Sequence, residues 1–138
     1  MGKIILKSVV IFVVMSLLNA QFSEWTVRFL KLPGGNFGMY SYLILIFCSV
    51  ITAIGMVTVI IFRKSYHSVL RMAILFEAIY LFFLLISGNN PFLCFSDATP
   101  ENLLMMMMYV NSFIIFLIMY SVYLIQLKLI SSKNKKLT

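Results

Sequence analysis

The chain has 138 residues, of which 62% are hydrophobic and only 11% charged. Soluble domains run at about 45–50% apolar and about 25% charged, and a chain this short has too little interior to hide the surplus. Its formal net charge is +7, but Lys and Arg gather at segment ends and in the C-terminal tail, which suits a membrane-anchored chain and argues against a nucleic-acid-binding surface.

Four apolar runs follow in chain order, at 4–20, 40–62, 66–87 and 103–127. Crossing about 30 Å of hydrocarbon takes about 20 helical residues. The last three runs reach that length and the first falls slightly short. The expected fold is therefore an all-α membrane protein of about four transmembrane helices.

Lys3 and Lys7 precede the first run, which ends in Leu18-Asn19-Ala20 before Gln21. A secretory signal peptide shares that layout, but a retained helix is the expectation. Segment 21–39 holds Glu24, Trp25, Arg28 and Lys31, then Pro33-Gly34-Gly35-Asn36. It reads as an interfacial stretch ending in a turn, with Trp25 at headgroup level. In the second run Ser49, Thr52, Gly55 and Thr58 recur every three residues, a small stripe along which helices can approach.

Arg63-Lys64-Ser65 is a tight basic turn, and segment 88–101 is a loop with Asn89-Asn90-Pro91, Pro100 and only Asp97 and Glu101 charged. The four methionines at 105–108 point all around a helix and read as adaptable packing surface. Cys48 and Cys94 form neither a disulfide framework nor a CxxC metal site. His67 is the sole histidine, which argues against haem or multi-His metal binding. At the head of its helix it reads as an interfacial residue, with proton shuttling the other option. There is no phosphate-binding glycine loop, no nucleophile–base set and no HExxH, so no active site is expected in the chain alone. Heavy use of Phe, Ile, Tyr, Lys and Met fits an AT-rich genome such as an organelle's.

With four spans, Lys3, Lys7, Arg63, Lys64, Lys128, Lys133, Lys135 and Lys136 share one side. The other side has Arg28 and Lys31 against Glu24, Asp97 and Glu101. The positive-inside rule puts both termini in the cytoplasm or matrix.

Glu77 is the one acidic residue inside a span. Holding a charged carboxylate at mid-bilayer costs about 2.5–3.5 kcal/mol on insertion scales, and intramembrane acids are usually functional. A carboxyl able to gain and lose a proton there is suited to proton transfer; the competing reading is a neutral Glu that glues two helices by a hydrogen bond. Arg71 lies six residues earlier, about 9 Å along the helix and on another face. It either snorkels to the interface or tunes a proton path. Asn111, followed by Ser112, sits in the fourth run at a depth that matches Glu77, roughly 13–15 Å by helical rise. Both are candidates to hold water in a path, or to bond a neighbouring helix.

From Gly55 the chain runs Gly55-Met56-Val57, a short apolar stretch, Arg63-Lys64-Ser65-Tyr66-His67, then Leu70-Arg71-Met72-Ala73-Ile74-Leu75-Phe76-Glu77. This resembles subunit 4L (bacterial subunit K) of respiratory complex I, the proton-pumping NADH–ubiquinone oxidoreductase, over about residues 40–128. The resemblance implies a three-helix unit with a basic turn after its first helix and buried glutamates in its second and third. Glu77 matches the first. The second falls near Asn111, where this chain has no acid, and residues 1–39 add a helix that the family lacks. Residues 1–39 then form an extra helix with its linker, 40–128 the family-like domain and 129–138 a basic tail.

The implied role is that of a membrane-arm subunit in the mitochondrial inner membrane, or else a bacterial inner membrane. Glu77 carries protons and other complex I membrane subunits and lipid are its partners. NADH, FMN, iron–sulfur clusters and ubiquinone serve the complex, and none is bound by this chain. The small subunit of a multisubunit sodium/proton antiporter is an alternative. So is a structural four-helix subunit without proton transfer.

Overall fold

The computed structural model describes residues 2–32, 38–88 and 90–135, with side chains through Ser132. The Pro33-Gly34-Gly35-Asn36 turn, Asn89 and the side chains of the last basic residues lie outside the described residues. The elements are α1 (Gly2–Phe29), α2 (Tyr40–Ile61), α3 (Val69–Ile86), the short α4 (Leu93–Ser96) and α5 (Pro100–Lys135). No strand occurs among the described residues, and α1, α2, α3 and α5 are each long and apolar enough to cross a membrane. The protein is an all-α integral membrane protein.

Helix ends follow local chemistry. Ser68 caps α3, its hydroxyl accepting from Leu70 N–H at 3.2 Å. At the start of α5, Thr99 Oγ1 accepts from Asn102 N–H at 3.3 Å, with Pro100 in the first helical position, where its missing N–H costs nothing. That start lies three residues before the apolar run because the Thr-Pro-Glu signal is polar.

α1 departs most from expectation. Residues 21–29, expected as an interfacial segment, continue the helix. Hydropathy falls at the first polar residues, but polar residues do not by themselves end a helix, and this stretch has no Gly or Pro to break it. Glu24 and Arg28 instead pair one turn apart on its exposed side. The helix closes at Lys31, whose φ of 52° is left-handed, with Lys31 N–H bonded to Arg28 O and Leu32 N–H to Val27 O. This is a Schellman closure with lysine where glycine is usual.

α1 packs most extensively on α2 and also touches α3 and α5, so it belongs to the same bundle. Its Ile11, Phe12 and Met15 join a common core with Cys48, Ile51, Met72, Phe76, Tyr80 and Ile115. The α1–α2 contact depends on Gly55. A Cβ there would fall 2.9 Å from Phe12 Cε2, so the missing side chain lets the ring lie against the α2 backbone. One turn away, Ser16 and Thr52 hydroxyls meet at 3.2 Å. Two residues of the small stripe thus face α1, whereas Ser49 and Thr58 donate to their own helix at Leu45 O and Ile54 O.

Aromatic contacts tie α1 to α3 and α3 to α2: Phe12 to Phe76 at 5.8 Å, Phe76 to Tyr80 at 6.5 Å and Tyr80 to Phe47 at 5.7 Å between ring centres. Large apolar side chains such as Leu17, Ile46, Val57, Phe82 and Phe113 point outward, as a lipid-facing surface requires.

At the basic end, Lys7 Nζ donates to His67 O at 2.9 Å, placing the start of α1 beside the α2–α3 turn. That matches the grouping of charges expected from four crossings. Met108 receives the Tyr40 hydroxyl and Met106 lies 3.0 Å from Cys94 Sγ, so the methionine run serves packing against two partners.

Candidate functional site

The buried residues of α3 are Val69, Met72, Ala73, Phe76, Glu77, Tyr80 and Leu84. Steps of three and four make this one helical face, and Glu77 sits on it. The side chain is 6% exposed. Its Oε2 accepts from the Ser112 hydroxyl of α5, while Oε1 has no hydrogen-bond partner among the described residues.

On α5 the buried positions are Leu104, Met108, Asn111, Ser112, Ile115 and Met119. Consecutive helical residues point about 100° apart. Asn111 and Ser112 therefore serve different neighbours. Ser112 faces α3 and Glu77; Asn111 faces α1 and donates its amide to Thr26 Oγ1 at 2.9 Å. The matched depth expected for Glu77 and Asn111 does not make them partners: Asn111 turns to α1, and the direct partner of Glu77 is the serine.

Thr26 extends a polar file on α1. Ser16, Asn19, Ser23 and Thr26 are all buried and lie at steps of three, four and three. Ser16, Ser23 and Thr26 hydroxyls and the Asn19 amide each donate to the carbonyl four residues earlier. This arrangement satisfies the donors within the helix and leaves lone pairs facing inward. Asn19 Oδ1 is buried with no partner among the described residues. A file of α1 groups and the Glu77–Ser112 pair are thereby joined through adjacent residues of α5.

Sequence reasoning misses the α1 members of this arrangement. Their spacing is the available signal, obscured because residues 21–29 read as interfacial. Arg71 is not brought to the site. Its guanidinium donates to Ser65 O at 2.8 Å, at the exposed basic turn.

Outside the bundle, Glu77 and Ser112 line a groove of about 520 Å³ between α3 and α5, with Ile74, Ala78, Leu81, Tyr109, Phe113 and Phe116. It is apolar apart from Glu77, Ser112 and Tyr109. No cluster of His, Cys, Asp or Glu among the described residues could hold a metal ion. The chemistry open to these groups is proton exchange and hydrogen bonding.

Comparison with protein-family models, with curated proteins and with solved structures gives no match to this chain.

Proposed function

We propose that this chain is a proton-transferring membrane subunit of a larger redox-driven pump, of the kind that subunit 4L represents in complex I. The observation that carries this reading is the state of the Glu77 carboxyl. One oxygen is held by Ser112 and the other has no partner among the described residues, in a side chain that is buried yet lines a groove. A carboxyl that serves packing alone gains most when both oxygens are satisfied. One with an open oxygen can pass its proton to water or to a group on a neighbouring subunit.

In this reading Glu77 is the proton carrier and Ser112 its hydrogen-bonding partner. Asn111 cannot titrate and holds α1 in register with the pair. With a single intramembrane acid, the next proton carrier belongs to an adjoining membrane-arm subunit. NADH, FMN, iron–sulfur clusters and ubiquinone belong to other subunits. The charge distribution supports a basic end and both termini in the matrix of a mitochondrion, or equally in a bacterial cytoplasm.

The test is purification of the native assembly followed by replacement of Glu77 with Gln. Flavin and iron–sulfur subunits should co-purify, and Glu77→Gln should abolish most proton pumping while the complex still assembles. Pumping that survives the change assigns Glu77 to packing. Co-purification with antiporter subunits and no redox arm assigns the chain to the antiporter class.

A further inference from the structure

A second groove runs along the outer face of the bundle between α1 and α5, with a volume of about 450 Å³. Lys3, Lys7 and Gln126 stand at its basic end, and Val10, Val14 and Met119 continue it into the membrane. We propose that this groove is a binding site for one anionic phospholipid of the basic-side leaflet.

Three observations support that occupant. First, length. From Lys3 to Val14 the groove follows eleven residues of α1, about 16 Å at 1.5 Å per residue. That is close to half of the roughly 30 Å hydrocarbon thickness. It matches an acyl chain of one leaflet, whereas a transmembrane partner helix needs a contact surface across the whole core.

Second, charge. No acidic side chain lines the groove. Glu77 is engaged with Ser112, Glu24 pairs with Arg28 near the far end of α1, and Asp97 and Glu101 flank the start of α5. Lys3 makes no hydrogen bond or ion pair among the described residues. Lys7 spends one of its three donors on His67 O. Both lysines line the same groove and keep donors for a lipid phosphate, and Gln126 adds an amide.

Third, the division of polarity along the groove is that of a phospholipid. The ammonium groups sit at its mouth and aliphatic and thioether surface lies deeper, as in basic clefts between transmembrane helices that take anionic headgroups.

The test is native mass spectrometry of the full chain, purified in a zwitterionic detergent and titrated with phosphatidylglycerol or phosphatidylcholine. One phosphatidylglycerol should be retained, in preference to phosphatidylcholine. Lys3→Gln with Lys7→Gln should weaken it about thirtyfold, the combined effect of two lysines at a membrane surface. Val10→Trp, which fills an outward-facing position and leaves both lysines intact, should also expel it. Equal retention of the two lipids, or phosphatidylglycerol retention unchanged by both variants, overturns the site. Displacement by inorganic phosphate would reduce it to an ion site and equally overturn the lipid assignment.

Discussion

Thr26 of α1 and Asn111 of α5 lie 85 positions apart in the chain and share a buried hydrogen bond of 2.9 Å. The next residue on α5, Ser112, gives its hydroxyl to Glu77 of α3. One helical step therefore joins the first helix to the carboxyl on the third. The first helix positions the site as well as supporting the bundle.

Removing the Thr26 hydroxyl breaks that bond together with its own bond to Phe22 O, and a double-mutant cycle separates the two. Thr26→Val should destabilise the protein by about 1 kcal/mol, the scale of interhelical hydrogen bonds in membranes. A double-mutant cycle with Asn111→Leu, read by unfolding in mixed detergent, should give a coupling of about 0.6–1.7 kcal/mol. Independent effects of the two changes would mean that the bond does not hold α1 to α5.

The α1–α2 contact makes a steric prediction. Gly55→Val puts its Cβ 2.9 Å from Phe12 Cε2, with two methyls to place beyond it, and should cost about 1–3 kcal/mol of stability through overpacking. Phe12→Ala should relieve the overlap, so that Gly55→Val costs less in the Phe12→Ala background than in the native chain. Thermal unfolding of the native chain, the two single variants and the double variant checks this. A cost of Gly55→Val that is the same with and without the ring would contradict the close approach.

Two left-handed residues should respond in opposite directions. Lys31 has φ 52° and Gly88 has φ 80°. Lys31→Gly removes a side chain from a conformation that costs about 1–2 kcal/mol for an L-residue, and should slow hydrogen exchange at Leu32 N–H. Gly88→Ala adds that cost at the end of α3 and should speed exchange at its last turn. Nothing else crowds Gly88, so its effect is conformational alone.

Asn111→Glu would set a second titratable group beside the Glu77–Ser112 pair. Proton coupling by the native assembly should change its pH profile in this variant. An unaltered profile would mean that a titratable group at this position does not communicate with the Glu77 carboxyl.

The bundle was largely legible in the sequence. Four apolar runs mark the four spans, and Gly55 with Thr52 marks the surface where α1 is close. Glu77 stood out because a lone acid in an apolar run is expensive, and Asn111-Ser112 because they are polar at similar depth. The direction of each was not legible. Whether Asn111 or Ser112 meets Glu77 depends on the rotation of α5, and an apolar run with little periodic contrast does not reveal its rotation. The Asn19, Ser23 and Thr26 file was hidden differently. Hydropathy ends the first span near Ala20, whereas backbone hydrogen bonding carries the helix to Phe29. Arg71 is a case of shared segment without shared site: six residues along a helix turn its side chain to the interfacial turn at Ser65.

The central claim is that Glu77 gains and loses a proton as the assembly works. Difference infrared spectroscopy of the native membrane assembly, recorded between resting and turning-over states, tests it most directly. The account predicts a carboxyl band that changes with turnover, shifts in heavy water and disappears in Glu77→Gln. A carboxyl signal that stays constant through turnover, or a turnover-dependent band that persists in Glu77→Gln, would contradict it.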